Sequence, residues 1–196
     1  MKFLDNFNYT NVDKCIFDLK KNKINYYSNE KLIYFHVYWY GKLNNKNITC
    51  INSYVKTQNL NKTKLIVWID KDYYIEENLK KIPIHKNIII KEYNDMELSK
   101  NTPFENKNFV YQKKFLKFRS DIARILFLYH YGGLYFDFDI ILLKNFENLL
   151  GTEFCYNWSN LYKNGNNGLI RFYKKSDELL KLMDKYNMTF EKNKHN

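Results

Sequence analysis

Several things are scarce in this chain, and each scarcity excludes something. It carries three cysteines in 196 residues, Cys15, Cys50 and Cys155. An odd number, without C-x-x-C or histidine-assisted spacing, suggests neither a disulfide framework nor a zinc site. Arginine is rarer still: Arg119, Arg124 and Arg171 stand among 32 basic residues, so the formal net charge of +11 rests on dispersed lysine. Readers of base edges and phosphates favour the planar arginine fork, so no specific nucleic-acid partner is expected. No apolar run approaches the roughly 20 residues of a spanning helix. The start, MKFLDNFNYT, is too polar for a signal peptide. The chain reads as soluble and cytoplasmic by default, and its basic surface leaves peripheral contact with an anionic membrane open. The sequons at Asn47 and Asn157 are expected by chance in an asparagine-rich chain and say little about compartment.

What is present is a core. Hydrophobic residues make up 45% of the chain and aromatics 18%, enough to repay the entropy of ordering one domain. KLIYFHVYWYGKL reads as a strand ending near Gly41, residues 48 to 59 as a short helix, and KLIVWIDKD as a second strand. These three have the cadence of a β-α-β unit. KNIIIKEY is a third strand, and residues 94 to 118, with Pro103 among them, read as a loop leading into a helix. That helix runs from Lys117 to Tyr131, with Ile122, Ile125, Leu126 and Tyr129 at helical spacing and Gly132 and Gly133 to end it. LYFDFDIILL follows as a strand and NNGLIRFYKKS as a strand or turn. SDELLKLMDKY reads as a helix with Ser176 as its cap. The order favours an α/β fold in one domain over residues 31–187, after a polar leader 1–30 and before a polar tail 188–196.

The chemistry concentrates in RSDIARILFLYHYGGLYFDFDI, residues 119 to 140. In a regular strand Asp137 and Asp139 share one face, about 6.6 Å apart at Cα, while Phe136 and Phe138 anchor the other. Two neighbouring carboxylates repel unless a cation compensates them, and their oxygens suit Mg²⁺ or Mn²⁺. Asp-x-Asp alone is weak: about 0.6 copies are expected by composition, and Asp70-Lys71-Asp72 is another. The latter fits a turn after its strand. Asp121 and Arg124 share a helix face, which also fits a surface ion pair worth at most about 1 kcal/mol. Trp39 fits a core or rim aromatic equally well. Asn167, in NGNNG, reads as a turn residue, and His36 and His130 as hydrogen-bonded partners within the fold.

The block resembles the sugar-nucleotide-binding region of GT-A fold glycosyltransferases with a D-x-D motif. In particular it resembles the group related to initiating mannosyltransferases, capsular-polysaccharide transferases and clostridial glucosylating toxins. IYFHVYWYGKL, KLIVWIDKD and NNGLIRFYKKS support the resemblance, which covers roughly residues 32 to 185. It implies a Rossmann-like, mostly parallel sheet flanked by helices. It also implies metal-dependent transfer of a sugar from a nucleotide-sugar donor, a UDP-sugar first, to a glycan, protein or other hydroxyl acceptor, with retention of configuration. By similarity Asp139, with Asp137, holds Mn²⁺ or Mg²⁺. Asp137 binds the sugar or ribose, Asp121 and Arg124 hold sugar hydroxyls, and Trp39 packs against the base. The C-terminal side departs from the family, with no counterpart of a final metal-contacting residue or of a loop closing over the donor. Slow transfer or donor hydrolysis is the expected consequence, because closure excludes water. A noncatalytic sugar-nucleotide binder, a lysine-rich nucleic-acid-binding protein, and a phosphoryl-transfer or nuclease enzyme are the alternatives.

Overall fold

A computed structural model describes residues 31–111, 116–159 and 162–192. The leader 1–30, Cys15 and the last four residues lie outside them. Three apolar runs form adjacent parallel strands: β1 (Ile33–Trp39), β2 (Thr63–Asp70) and β3 (Ile88–Tyr93). Near-continuous hydrophobicity is what a parallel strand covered on both faces requires. The fourth, β4 (Gly133–Phe136), is also parallel to β1, and β6 (Tyr162–Phe172) and β5 (Phe154–Ser159) complete the sheet antiparallel, in the order β3-β2-β1-β4-β6-β5.

Alternation along β1 and β2 divides the core. Phe35, Val37, Leu65, Val67 and Ile69 pack with Cys50, Ile51 and Tyr54 of helix α1 (Asn45–Thr57). Tyr38, Ile66 and Trp68 pack with Ile122, Phe127 and their neighbours on α4 (Leu116–Tyr131), and with Leu179 and Met183 of α5 (Asp177–Lys192). Phe127 stacks flat on Trp68 with centroids 4.3 Å apart. Short helices α2 (Glu76–Leu79) and α3 (Asp95–Ser99) lie in the connections. The α/β fold is thus one domain with a mostly parallel sheet between helices, and among the described residues no helix is long and apolar enough to cross a membrane.

The glycine pair is dictated by contact as well as by backbone. Gly132 and Gly133 have φ of +64° and +105°, and a Cβ on Gly133 would lie 1.9 Å from the carbonyl oxygen of Tyr34. Only a residue without Cβ lets β4 turn in beside β1 directly after α4. His36 closes the turn from below: Trp68 Nε1 donates to its Nδ1 at 3.1 Å, so its Nε2 donates to the Gly132 carbonyl at 2.8 Å. Burial holds that imidazole neutral, down to about 4, so it is a structural partner, as the sequence suggests.

Three expectations need correction. The acidic strand stops at Phe136, because β1 pairs only with Leu134 and Tyr135 and β6 pairs no further than Phe136. The stretch read as loop holds α3, capped by Asn94, whose side chain accepts from Met96 and Glu97. Ser176 precedes α5 and its carbonyl accepts from Leu180, but its buried hydroxyl has no hydrogen-bond partner among the described residues. The helix itself runs on to Lys192, past the stretch that suggested it.

Candidate active site

At the carboxyl end of β4 three segments converge on Arg124. Its guanidinium lies over the Tyr135 ring, 4.6 Å from the centroid. Nε and Nη2 donate to the carbonyl and hydroxyl of Ser120 at 3.2 and 2.8 Å, and Nη1 donates to the Asn167 carbonyl at 2.6 Å. Nη2 stands 3.5 Å from Asp121 and 3.4 Å from Asp137. Asn167 Nδ2 donates to Asp121 at 2.7 Å, and the Tyr135 hydroxyl to Asp137 at 3.1 Å. Arg124 is only 6% exposed, whereas Asp121 and Asp137 keep 29% and 41% of their side chains open. The cation is therefore built in, and the carboxylates face outward. Burial raises the Asp121 carboxyl above its ordinary range, with Arg124 and Asn167 opposing that and Asp137 adding to it.

The two motif aspartates do not share a strand face. Asp137 donates its backbone N–H to the Gly168 carbonyl at 2.8 Å, and the Ile140 N–H returns to the Asp137 carbonyl at 3.0 Å, closing a turn. Phe136 and Phe138 are both buried, Asp137 is half-buried and Asp139 is exposed. Phe136 and Phe138 anchor one core as the alternation predicts, but the ladder ends at Phe136, so the aspartates sit on a turn and not on a strand. A Cβ at Gly168 would sit 2.7 Å from Asp137 Oδ2, so a side chain there would displace that carboxylate. Trp39, half-buried, meets the Phe138 ring edge-on at 6.0 Å and donates to the Lys42 carbonyl at 3.1 Å, so it flanks the acidic turn. Beneath the turn, burial and then the charge of Asp139 push the Cys50 thiol up to about 12.

The other Asp-x-Asp behaves as the turn reading expects. Asp70 accepts from the Asp72 N–H and caps a single 3₁₀ turn. It is also fully buried, accepting from Tyr38 at 2.8 Å and from Arg119 at 2.7 Å, while Arg119 bonds Asp95 with its other arm. This sealed group went unnoticed in the sequence, as did Tyr135 and Ser120. Tyr135 alone carried a signal, lying two residues before Asp137. Asn167 turns out to touch both Asp121 and Arg124. His130 bonds the Leu98 carbonyl at 2.6 Å and takes no part.

A cavity of about 1080 Å³ opens beside Asp121, Arg124 and Asn167, and runs between Phe172 and the α5 residues Lys185 and Tyr186. Among the described residues no group of three or more His, Cys, Asp or Glu could hold a metal by itself. Two carboxylates on one exposed turn are nonetheless the donor set of a hard cation that shares its coordination with water and substrate phosphates, which fits Mg²⁺ or Mn²⁺.

Comparison with known proteins agrees with the fold and the motif. A solved structure described as "PaToxG Glycosyltransferase" superposes with a TM-score of 0.60 at 19% identity, covering 96% of this chain and 70% of that one. No curated protein matches. The family described as "Glycosyltransferase sugar-binding region containing DXD motif" matches residues 5–155, which span the first four strands, α4 and the acidic turn. The chain belongs to that family and is a glycosyltransferase.

Proposed function

We propose that this glycosyltransferase moves a hexose from a nucleotide-sugar donor, a UDP-sugar first, to a hydroxyl of a glycan, protein or other acceptor, with a divalent cation and with retention of configuration. The observation that carries this reading is the convergence of Asp121, Arg124 and Asp137 at the carboxyl end of β4, beside an exposed Asp139. Ligands of open α/β sheets sit in crevices at that end of the strands.

Asp139 and Asp137 would hold Mn²⁺ or Mg²⁺, which would neutralise charge on the departing diphosphate. Asp121 and Asp137 accept hydrogen bonds from sugar hydroxyls. Arg124, already fixed by Ser120, Asn167 and Tyr135, orients both carboxylates with little reorganisation. Trp39 packs against the base on the far side of the turn. The bond from the anomeric carbon to phosphate breaks as the bond to the acceptor oxygen forms, and the acceptor's proton passes to the leaving phosphate. The cavity beside Asp121 admits the acceptor to that point.

Calorimetric titration of a panel of nucleotide sugars, with and without Mn²⁺, tests this in wild type and Asp139→Ala. The expected result is ion-dependent binding of one donor class that vanishes in the variant, with stability changed by less than about 0.5 kcal/mol because the residue is exposed. Donor binding indifferent to both ion and substitution, or no binding at all, overturns the metal-site assignment.

A further inference from the structure

After the acidic turn the chain from Ile140 to Phe146 is irregular and lies outside the sheet, so its backbone polar groups have no ladder to satisfy them. Helix α1 and Gln58, which caps its C-terminus, supply the partners. Asn47 Nδ2 donates to the Phe138 carbonyl at 3.3 Å, in the middle of the turn. Ser53 Oγ accepts from the Leu142 N–H at 3.0 Å. Gln58 donates to the Lys144 carbonyl at 2.9 Å and accepts from the Phe146 N–H at 3.0 Å. The contacts ascend together, so the segment lies alongside α1 in the same direction, with Leu142 buried in the shared core.

All three polar side chains are buried. Asn47 is used at both ends: its Oδ1 accepts from the Asn44 N–H at 3.0 Å, closing the capping box of α1, while its amide holds the turn. The same enclosure puts the Asn47 sequon inside packed helix, which explains why its motif carries no information about compartment. Phe138, whose carbonyl Asn47 holds, presents its ring to Trp39.

We infer that Asn47, Ser53 and Gln58 are positioning residues: a polar seam on α1 that fixes the backbone of the acidic turn and so aims Asp139. That carboxylate is exposed and has no hydrogen bond or ion pair among the described residues, so nothing holds its side chain directly. The backbone beneath it is what can be pre-set, and the seam pre-sets it. Removing a partner bonded directly to a metal ligand typically weakens metal affinity about 10- to 100-fold, and Asn47, which bonds the carbonyl next to Asp139, acts through the backbone at the lower end of that range. The inference rests on the reading of Asp139 as a metal ligand.

The test compares Asn47→Ala and Ser53→Ala with Asn87→Ala. Asn87 is equally buried and makes two comparable bonds, to the carbonyls of Leu60 and Thr63, at the opposite end of β2. Mn²⁺ uptake is read from loss of the free-ion electron paramagnetic resonance signal, and hydrogen exchange over residues 138–146 is followed by mass spectrometry. The seam variants should bind Mn²⁺ about tenfold more weakly and exchange faster over 138–146, while Asn87→Ala loses stability with Mn²⁺ affinity unchanged. Wild-type affinity in both seam variants, or an equal loss in Asn87→Ala, overturns the inference. A wild-type protein that takes up no Mn²⁺ removes the metal reading alone. The seam is then decided by exchange: it stands if the seam variants exchange faster over 138–146 and Asn87→Ala does not, and falls otherwise.

Discussion

Helix α4 carries two arginines, five residues apart, each lying between two aspartates, and the two groups behave in opposite ways. Arg119 bridges Asp70 from the end of β2 and Asp95 from the start of α3, with side chains of both acids and the base withdrawn from water. Arg124 lies between Asp121 and Asp137, and those acids remain open to solvent. In the first group all three side chains are sealed from solvent, leaving no face for a ligand, and Arg119 Nη2 is buried with no hydrogen-bond partner among the described residues. In the second, a buried cation orients carboxylate oxygens that still point outward. Identical residue types therefore give a clamp in one place and a recognition surface in the other, and solvent access is the difference. The clamp also serves the surface, because it anchors the first turns of the helix that carries Asp121 and Arg124.

Breaking the clamp should give the largest effect. Arg119→Met leaves two carboxylates buried without a counter-charge and should lower stability by about 3–5 kcal/mol in urea denaturation followed by circular dichroism. A loss under about 1 kcal/mol would mean that water reaches the pair and the contrast is false. Next comes Arg124→Lys, which keeps the charge but loses the planar fork and its stacking on Tyr135. Stability should fall by about 1–2 kcal/mol, while donor affinity drops about tenfold, about 1.4 kcal/mol; unchanged donor affinity would remove Arg124 from the site.

The smallest effect sharpens the comparison through pH. Folding raises the Asp121 pKa, so the folded state prefers the protonated acid. That contribution is fully present below the unfolded value of about 3.9 and is lost as pH rises through the folded value. Asp121→Asn, whose amide oxygen can still accept from Asn167, should therefore gain stability relative to wild type as pH rises from about 4 toward neutrality, while losing donor affinity. Melting temperatures across that range check the sign. A variant that becomes relatively less stable with rising pH would show that the Arg124 attraction outweighs burial. A site residue that costs stability where it is ionised is what a binding surface, unlike a clamp, tolerates.

The first three strands were legible because their apolar runs are long and unbroken, and α4 because its spacing and double glycine leave little else. The acidic turn was misread for an instructive reason. Phe136-Asp137-Phe138-Asp139 alternates as a strand does, but a strand persists only where a neighbour pairs with it, and β1 pairs no further than Tyr135 and β6 no further than Phe136. The pairing of Arg119 with Asp70 and Asp95 was invisible for the same kind of reason: the partners lie 49 and 24 residues away, and sequence patterns report local periodicity. Asn167 and the α1 seam belong with these, since asparagine, serine and glutamine in a polar stretch carry no sign of which backbone they will meet.

By itself the sequence determined the class of fold, the helix and glycine turn, and the set of acids and base from which the site is made, because these follow from local periodicity, backbone freedom and charge. Tertiary structure alone decided which arginine would be sealed and which left open, where the acidic strand would end and what would hold the turn beyond it. Those outcomes depend on which distant groups exclude water from one another and which backbone edges find a partner.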